Sequence, residues 1–158
     1  MSTDSIALID LGTLAYPTAL HLMERLTEAR CRHEVGDMLL LGQHPPVITL
    51  GRGGGHEDVR ASPALLRRLG VRVVQTERGG RATYHGPGQL VAYPILRLPD
   101  HDLHDYVHRL EETVIQLLAD YGITAGRFNG QPGVWLGRDK IAAIGVAVRG
   151  GVTSHGLA

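Results

Sequence analysis

Arg78-Gly-Gly-Arg-Ala-Thr-Tyr-His-Gly-Pro-Gly-Gln89 runs straight into Leu90-Val-Ala-Tyr-Pro-Ile-Leu96. Gln89 to Leu96 is mainly apolar and of strand length, and so is Val71-Arg-Val-Val74 on the other side of the glycines. A polar, glycine-rich segment therefore joins two strands. Two readings are open for it. Its glycines and Pro87 could simply make the turns of a long hairpin connection. Alternatively, backbone amides released at Gly79 and Gly80 could line a ligand or an oxyanion. The spacing is not that of a Walker loop or a G-x-G-x-x-G fingerprint, so phosphate binding of those kinds is not expected.

Working outward, Ile6–Leu11 reads as a first strand, and Ala19, Leu22, Met23, Leu26 and Ala29 recur at helical spacing from Pro17 to about Arg32. Asp37–Leu41 and Val47–Leu50 read as strand, kink, strand around Gly42 and Pro45-Pro46. Ser62-Pro63 opens a short helix that ends at Leu69 before Gly70. A second long helix is expected from Leu103 to Tyr121, capped by Asp102 or Asp100 and stopped by Gly122. Val134–Leu136, the turn Gly137-Arg-Asp-Lys140 and Ile141–Val148 read as a β-hairpin. Strands outnumber helices and do not alternate with them. That predicts an α+β fold with helices packed on a mixed, largely antiparallel sheet, as one domain over residues 1–158.

Composition narrows the function classes. Sixteen basic residues balance sixteen acidic ones, which argues against a nucleic-acid binder working through bulk positive charge. Cys31 is the only cysteine, so no internal disulfide is possible. Apolar runs fall short of a membrane span, and Met-Ser-Thr-Asp at the start has no basic leader character, so a cytoplasmic protein is expected. Of 21 glycines, nine lie between Gly51 and Gly88 and nine between Gly122 and Gly156, marking two places where backbone turns tightly or approaches a ligand.

Lys140 is the only lysine in the chain. It stands at the hairpin tip or as the first strand residue after it, and is either an exposed turn residue or a lysine whose proton affinity is tuned by entry into the apolar run Ile141-Ala-Ala-Ile-Gly145. His85 and His155 sit within the two glycine-rich blocks and are site candidates. His101, His104 and His108 have helical metal-ligand spacing, but no second ligand pair accompanies them, and no metal is expected. Cys31, between Arg30 and Arg32, reads as structural.

Arg78–Ile95, then Gly133-Val-Trp-Leu-Gly137 with Lys140-Ile-Ala-Ala-Ile-Gly145, then Val152-Thr-Ser-His-Gly-Leu-Ala158 resemble, in order, the sequence blocks of the octanoyl-[acyl-carrier-protein]:protein octanoyltransferases of lipoate biosynthesis. The resemblance implies the catalytic-domain fold of the biotin/lipoate protein ligases. It implies transfer of octanoyl from acyl carrier protein to an enzyme cysteine, and then to a lysine of a lipoyl domain, with no cofactor. It assigns Lys140 the catalytic role of lowering the thiol pKa and moving protons. It assigns the acyl-substrate walls to Arg78, Gly79, Gly80, Arg81, Ala82, Thr83, Tyr84 and His85, to Ala143, Ile144 and Gly145, and to Gly156, Leu157 and Ala158. The partners implied are octanoyl-acyl carrier protein and the lipoyl domains of 2-oxoacid dehydrogenases and of the glycine cleavage H protein, with no nucleic acid or membrane and a monomeric enzyme.

One departure matters. The family's nucleophile is a cysteine in a Pro-Cys-Gly context beyond the His-Gly-Leu-Ala block, and these 158 residues do not contain it. Truncation at the C-terminus, and no turnover by this chain alone, are the expectations. An ATP-dependent lipoate–protein ligase is the alternative enzyme, although that family continues its loop His-Asp where this chain has His85-Gly86. A non-catalytic module that binds acyl carrier or lipoyl domains is the alternative of another class.

Overall fold

The computed structural model describes residues 5–99, 102–128 and 130–158. Met1 to Asp4, the alternative cap Asp100, and His101 of the histidine set lie outside the described residues. The elements are β1 (Ala7–Thr13), α1 (Tyr16–Cys31), β2 (Met38–Gln43), β3 (Val47–Leu50), a 3-10 turn at His56–Asp58, α2 (Pro63–Arg68), β4 (Arg72–Gln75), β5 (Ala82–His85), β6 (Val91–Ile95), α3 (Leu103–Asp120), β7 (Gly126–Phe128), β8 (Gln131–Leu136), β9 (Asp139–Ala142), β10 (Ile144–Arg149) and β11 (Val152–Leu157). Helix starts follow local chemistry. Ser62 Oγ accepts the Leu65 amide at 3.2 Å, and Asp102 Oδ1 accepts the Asp105 amide at 3.0 Å.

The described strands form three sheets: β1-β2-β6-β11-β10, β4-β3-β5 and β7-β8-β9. Pairing is parallel for β1 with β2 and for β3 with β4, and antiparallel elsewhere. The α+β class and the antiparallel bias hold, with the strands divided among three sheets.

Three details depart from the sequence reading. The glycine-rich segment is not a bare connection: β5 lies inside it, antiparallel to β3, with Thr83 opposite Thr49 and His85 opposite Val47. Its polar composition conceals the strand. β2 and β3 are two strands with the kink between them, as read, but they enter different sheets rather than one. Ile141–Val148 is likewise two strands, broken at Ala143. There Ala143 N donates to Ala158 O at 2.8 Å, and Ala158 N returns a bond to Ala143 O at 3.0 Å.

Two helices fix these sheets. α1 buries Met23 against Met38, Leu40, Val91, Tyr93, Ile95 and Val152 of the five-stranded sheet. α3 places Tyr106 and Leu110 on Val146 of β10, and Val114 one turn further on against Val134 and Ala142 of the β7-β8-β9 sheet. One face of α3 thus ties the two sheets together around Ala143.

Candidate active site

The two glycine-rich blocks of the sequence meet in a narrow cleft of about 320 Å³, its open mouth included. One wall comes from the segment after β4 and from β5, which supply Arg78, Thr83 and His85. The facing wall is Ala143, Gly145, His155, Gly156, Leu157 and Ala158, while Tyr16 of α1 and Tyr93 of β6 complete it. The walls touch through backbone: Gly79 N donates to Val146 O at 2.9 Å. A Cβ on Gly145 would sit 2.9 Å from Gly79 O and 3.1 Å from Arg78 Cδ, so any side chain there would push the walls apart.

Arg78 is the charged element. It is 7% exposed. Nη2 donates to Thr49 O at 2.8 Å and to Thr49 Oγ1 at 2.7 Å, and Nη1 donates to Gly79 O at 2.9 Å. Among the described residues no carboxylate pairs with it. Burial pulls its pKa below the usual arginine value, with Tyr16 and Tyr93 opposing. A buried guanidinium satisfied only by neutral oxygens keeps its positive charge available to a polarised oxygen entering the cleft.

The imidazoles beside it are neutral at physiological pH. Burial, with Arg78 adding to it, pushes His155 down to about 4. His85 is also pushed to about 4, chiefly by burial, while its hydrogen bond to Gln89 opposes the shift. His44 is lowered by burial as well; it bonds Leu14 O and the Tyr93 hydroxyl, at 2.6 and 2.7 Å. Among the described residues, Tyr16 Oη and His155 Nε2 of the cleft are buried and find no hydrogen-bond partner. His155 also has φ of +59°, a left-handed backbone that is strained for a side-chain-bearing residue.

Of the residues assigned to the site by resemblance, Arg78, Thr83, His85, Ala143, Gly145, Gly156, Leu157 and Ala158 line this cleft. The others lie around it. Gly79 contacts the opposite wall and Gly80 O accepts from Gly53 N. Arg81 pairs with Asp58 at the surface. Ala82 faces Leu50 across the β3–β5 pair, Tyr84 is exposed, and Ile144 packs against α3. Lys140 is an exposed residue of β9, just past the hairpin turn, and its Nζ donates to Pro132 O at 2.9 Å, outside the cleft lining. Tyr16, Thr49 and Tyr93 were not singled out in the sequence. The available signal was a tyrosine in an otherwise apolar strand or helix start, where a buried hydroxyl needs a partner.

Cys31 is remote from the cleft. Its Sγ donates to Arg149 O at 3.3 Å. Arg149 pairs with Val152 at one end of the β10–β11 ladder, whereas Gly145 pairs with Gly156 near the cleft. Four residues of strand separate the two ends, roughly 13 Å. Among the described residues no group of three metal-ligating side chains forms, and no helix is long and apolar enough to cross a membrane.

Residues 15–158 match the family described as the lipoyl protein ligase A/B catalytic domain. The chain is 50% identical over 159 residues to a curated octanoyltransferase of Chloroflexus aggregans, with 98% of this chain and 72% of the relative covered. Among solved structures it resembles lipoate-protein ligase A bound with ATP, with a TM-score of 0.77 and 21% identity over 97% of this chain and 65% of the other. It also resembles the bi-partite lipoate protein ligase of Thermoplasma acidophilum, solved in a study with its E2 lipoyl domain, with a TM-score of 0.75 and 20% identity over 96% of this chain and 60% of the other. At these identities the two structures speak to fold alone.

Proposed function

The chain belongs to the lipoyl protein ligase A/B catalytic-domain family, and from that premise we propose that it is the catalytic domain of an octanoyltransferase acting between acyl carrier protein and lipoyl domains. The 50% identity to a curated octanoyltransferase over nearly the whole chain carries this reading. Nothing comparable favours the ligase alternative, since the ligase likeness is one of fold.

The reaction balances without a phosphate donor. A cysteine thiolate attacks the octanoyl thioester, the tetrahedral oxyanion collapses, and the carrier's phosphopantetheine thiol leaves with a proton. The amine of the lipoyl-domain lysine then attacks the enzyme thioester and releases the cysteine. In this reading Arg78 holds the acyl oxygen, and the neutral His155 Nε2 and Tyr16 hydroxyl, unpartnered among the described residues, hydrogen-bond the polar end of the acyl group. Ala143, Gly145, Leu157 and Ala158 offer apolar wall to an aliphatic chain. Lys140 is the group proposed to lower the thiol pKa and shuttle the proton; burial draws its own pKa below the ordinary lysine value, with Glu111 opposing. Cys31, held at the far end of the hairpin, is not the proposed nucleophile. The partners proposed are octanoyl-acyl carrier protein and the lipoyl domains of 2-oxoacid dehydrogenases and of the H protein, met by a monomer in the cytoplasm.

The test compares two proteins: the 158 residues as they stand, and the same residues continued by the Pro-Cys-Gly-bearing segment of a family member. Each is mixed with octanoyl-acyl carrier protein and an apo lipoyl domain without ATP, and the lipoyl-domain mass is followed. Octanoylation by the continued protein alone is expected. Transfer that occurs only from free acid plus ATP would make the protein a ligase instead.

A further inference from the structure

Glu111 of α3 takes no part in the reaction above, yet it is only 7% exposed and both its oxygens are engaged. Oε1 accepts from the Gly133 amide at 3.0 Å and Oε2 from Arg127 Nε at 2.9 Å. A buried carboxylate that grips a backbone amide in a neighbouring strand is costly to desolvate, so its placement calls for a reason. Gly133 has φ of +126°, and a Cβ there would lie 2.5 Å from Ala142 O and 3.2 and 3.3 Å from Lys140 Cε and Cδ. The stem of Lys140 therefore crosses directly over Gly133. Its Nζ then bonds Pro132 O at 2.9 Å and stands 4.7 Å from the centroid of the Trp135 ring. The Pro132–Gly133 unit is held on one side by Glu111 and carries Lys140 on the other.

We propose that Glu111 is a positioning residue for Lys140: it fixes the backbone on which the lysine ammonium rests and is the negative charge that faces it from α3. The inference rests on the reading of Lys140 as the proton-moving group. The charges around the ammonium are Arg138 and Asp139 beside it in the chain, Glu111 from the helix, and Arg127, which is paired with Glu111 at 2.9 Å. Glu111 opposes the effect of burial on Lys140, so the amine holds its proton more firmly while the carboxylate is present.

Because Lys140 is the only lysine, reductive methylation with ¹³C-formaldehyde labels one side chain besides the N-terminal amine, and NMR can titrate it in the 158-residue chain. Glu111→Gln is expected to lower the Lys140 midpoint by about half a pH unit or more, roughly a threefold loss of proton affinity. The same change should move the methyl resonance away from its position over the Trp135 ring. Glu112→Gln, which alters an exposed neighbour also paired with Arg127, should do neither. Arg127→Gln removes the cation paired with Glu111 and should raise the midpoint, so the sign can be tested even if Glu111→Gln fails to fold. An unshifted midpoint and resonance in folded Glu111→Gln, or a midpoint that does not rise in Arg127→Gln, would overturn the proposal. Octanoyl transfer is read separately: full activity of Lys140→Arg overturns the role of the lysine without touching the link to Glu111.

Discussion

Thr49 Oγ1 lies 2.7 Å from Arg78 Nη2, and the same nitrogen also donates to Thr49 O at 2.8 Å. A fully buried residue of β3 thereby holds the one guanidinium in the cleft from two directions. His85 Nε2 comes within 3.2 Å of the same hydroxyl, so Thr49 also couples Arg78 to the neutral imidazole beside it.

Thr49→Val keeps the shape and the carbonyl but removes the hydroxyl. A buried charged donor loses one of its neutral acceptors, which costs on the order of 1–3 kcal/mol. Urea unfolding of the variant should show that loss, and Thr49→Ser should recover most of it. Equal stability of Thr49→Val and wild type would mean that the hydroxyl does not support Arg78.

Acid should destabilise the protein through two buried imidazoles. His85 and His155 titrate near 6.5 when unfolded and at about 4 when folded. Well above pH 6.5 both states are neutral and neither group affects stability. As pH falls from 6.5 toward 4, the unfolded chain takes up protons that the folded chain refuses, so stability drops across that window. Each group accounts for on the order of 3 kcal/mol at full expression. Unfolding midpoints measured between pH 7.5 and 4 should fall steeply in wild type and less steeply in His155→Asn, since asparagine accepts the left-handed backbone at 155 but does not titrate. Parallel pH profiles for the two proteins would contradict the buried, neutral state of His155.

Cys31→Ser should leave octanoyl transfer by the Pro-Cys-Gly-continued protein nearly unchanged. Its Sγ contacts the hairpin end at Arg149, and a hydroxyl can make the same bond to that carbonyl. A large loss of rate with folding preserved would place the thiol in the chemistry after all.

The sequence carried the outline because outline depends on local signals. Ser62-Pro63 and Asp102 mark helix starts through a single side-chain oxygen each, and the apolar spacing from Ala19 to Ala29 fixes the face of α1. What escaped were strands whose partners are distant in sequence. Ala82–His85 is polar because one side lines a cleft, and Gly126–Phe128 is too short to show a pattern. The break at Ala143 is set by Ala158, fifteen residues away, and no local rule anticipates it. The site divided the same way. Arg78, His85 and His155 stood out among glycines, whereas Thr49 and Tyr16 became site residues only once β3 and α1 were packed behind them.

Lys140 gives the sharpest test of the proposed chemistry. Its ammonium rests on Pro132 O and over Trp135, a geometry that an arginine could partly imitate by charge and length. If the residue only closes the β8–β9 pair, Lys140→Arg should therefore be nearly silent in the Pro-Cys-Gly-continued protein. A group that moves protons is different. A guanidinium does not release its proton near neutral pH, and its planar fork cannot replace a compact ammonium. General acid–base contributions amount to about 10²–10⁴-fold in rate, so the outcomes are well separated. Partial burial lowers the Lys140 pKa from the ordinary lysine value, the direction that eases proton release. A neighbouring ammonium also favours a thiolate, so Lys140→Ala should raise the pH midpoint of iodoacetamide labelling at the Pro-Cys-Gly cysteine. Octanoyl transfer and labelling are to be measured for wild type, Lys140→Arg and Lys140→Ala. Both variants should lose transfer and keep their fold; wild-type rates in both would make Lys140 an ordinary strand residue stacked on a tryptophan.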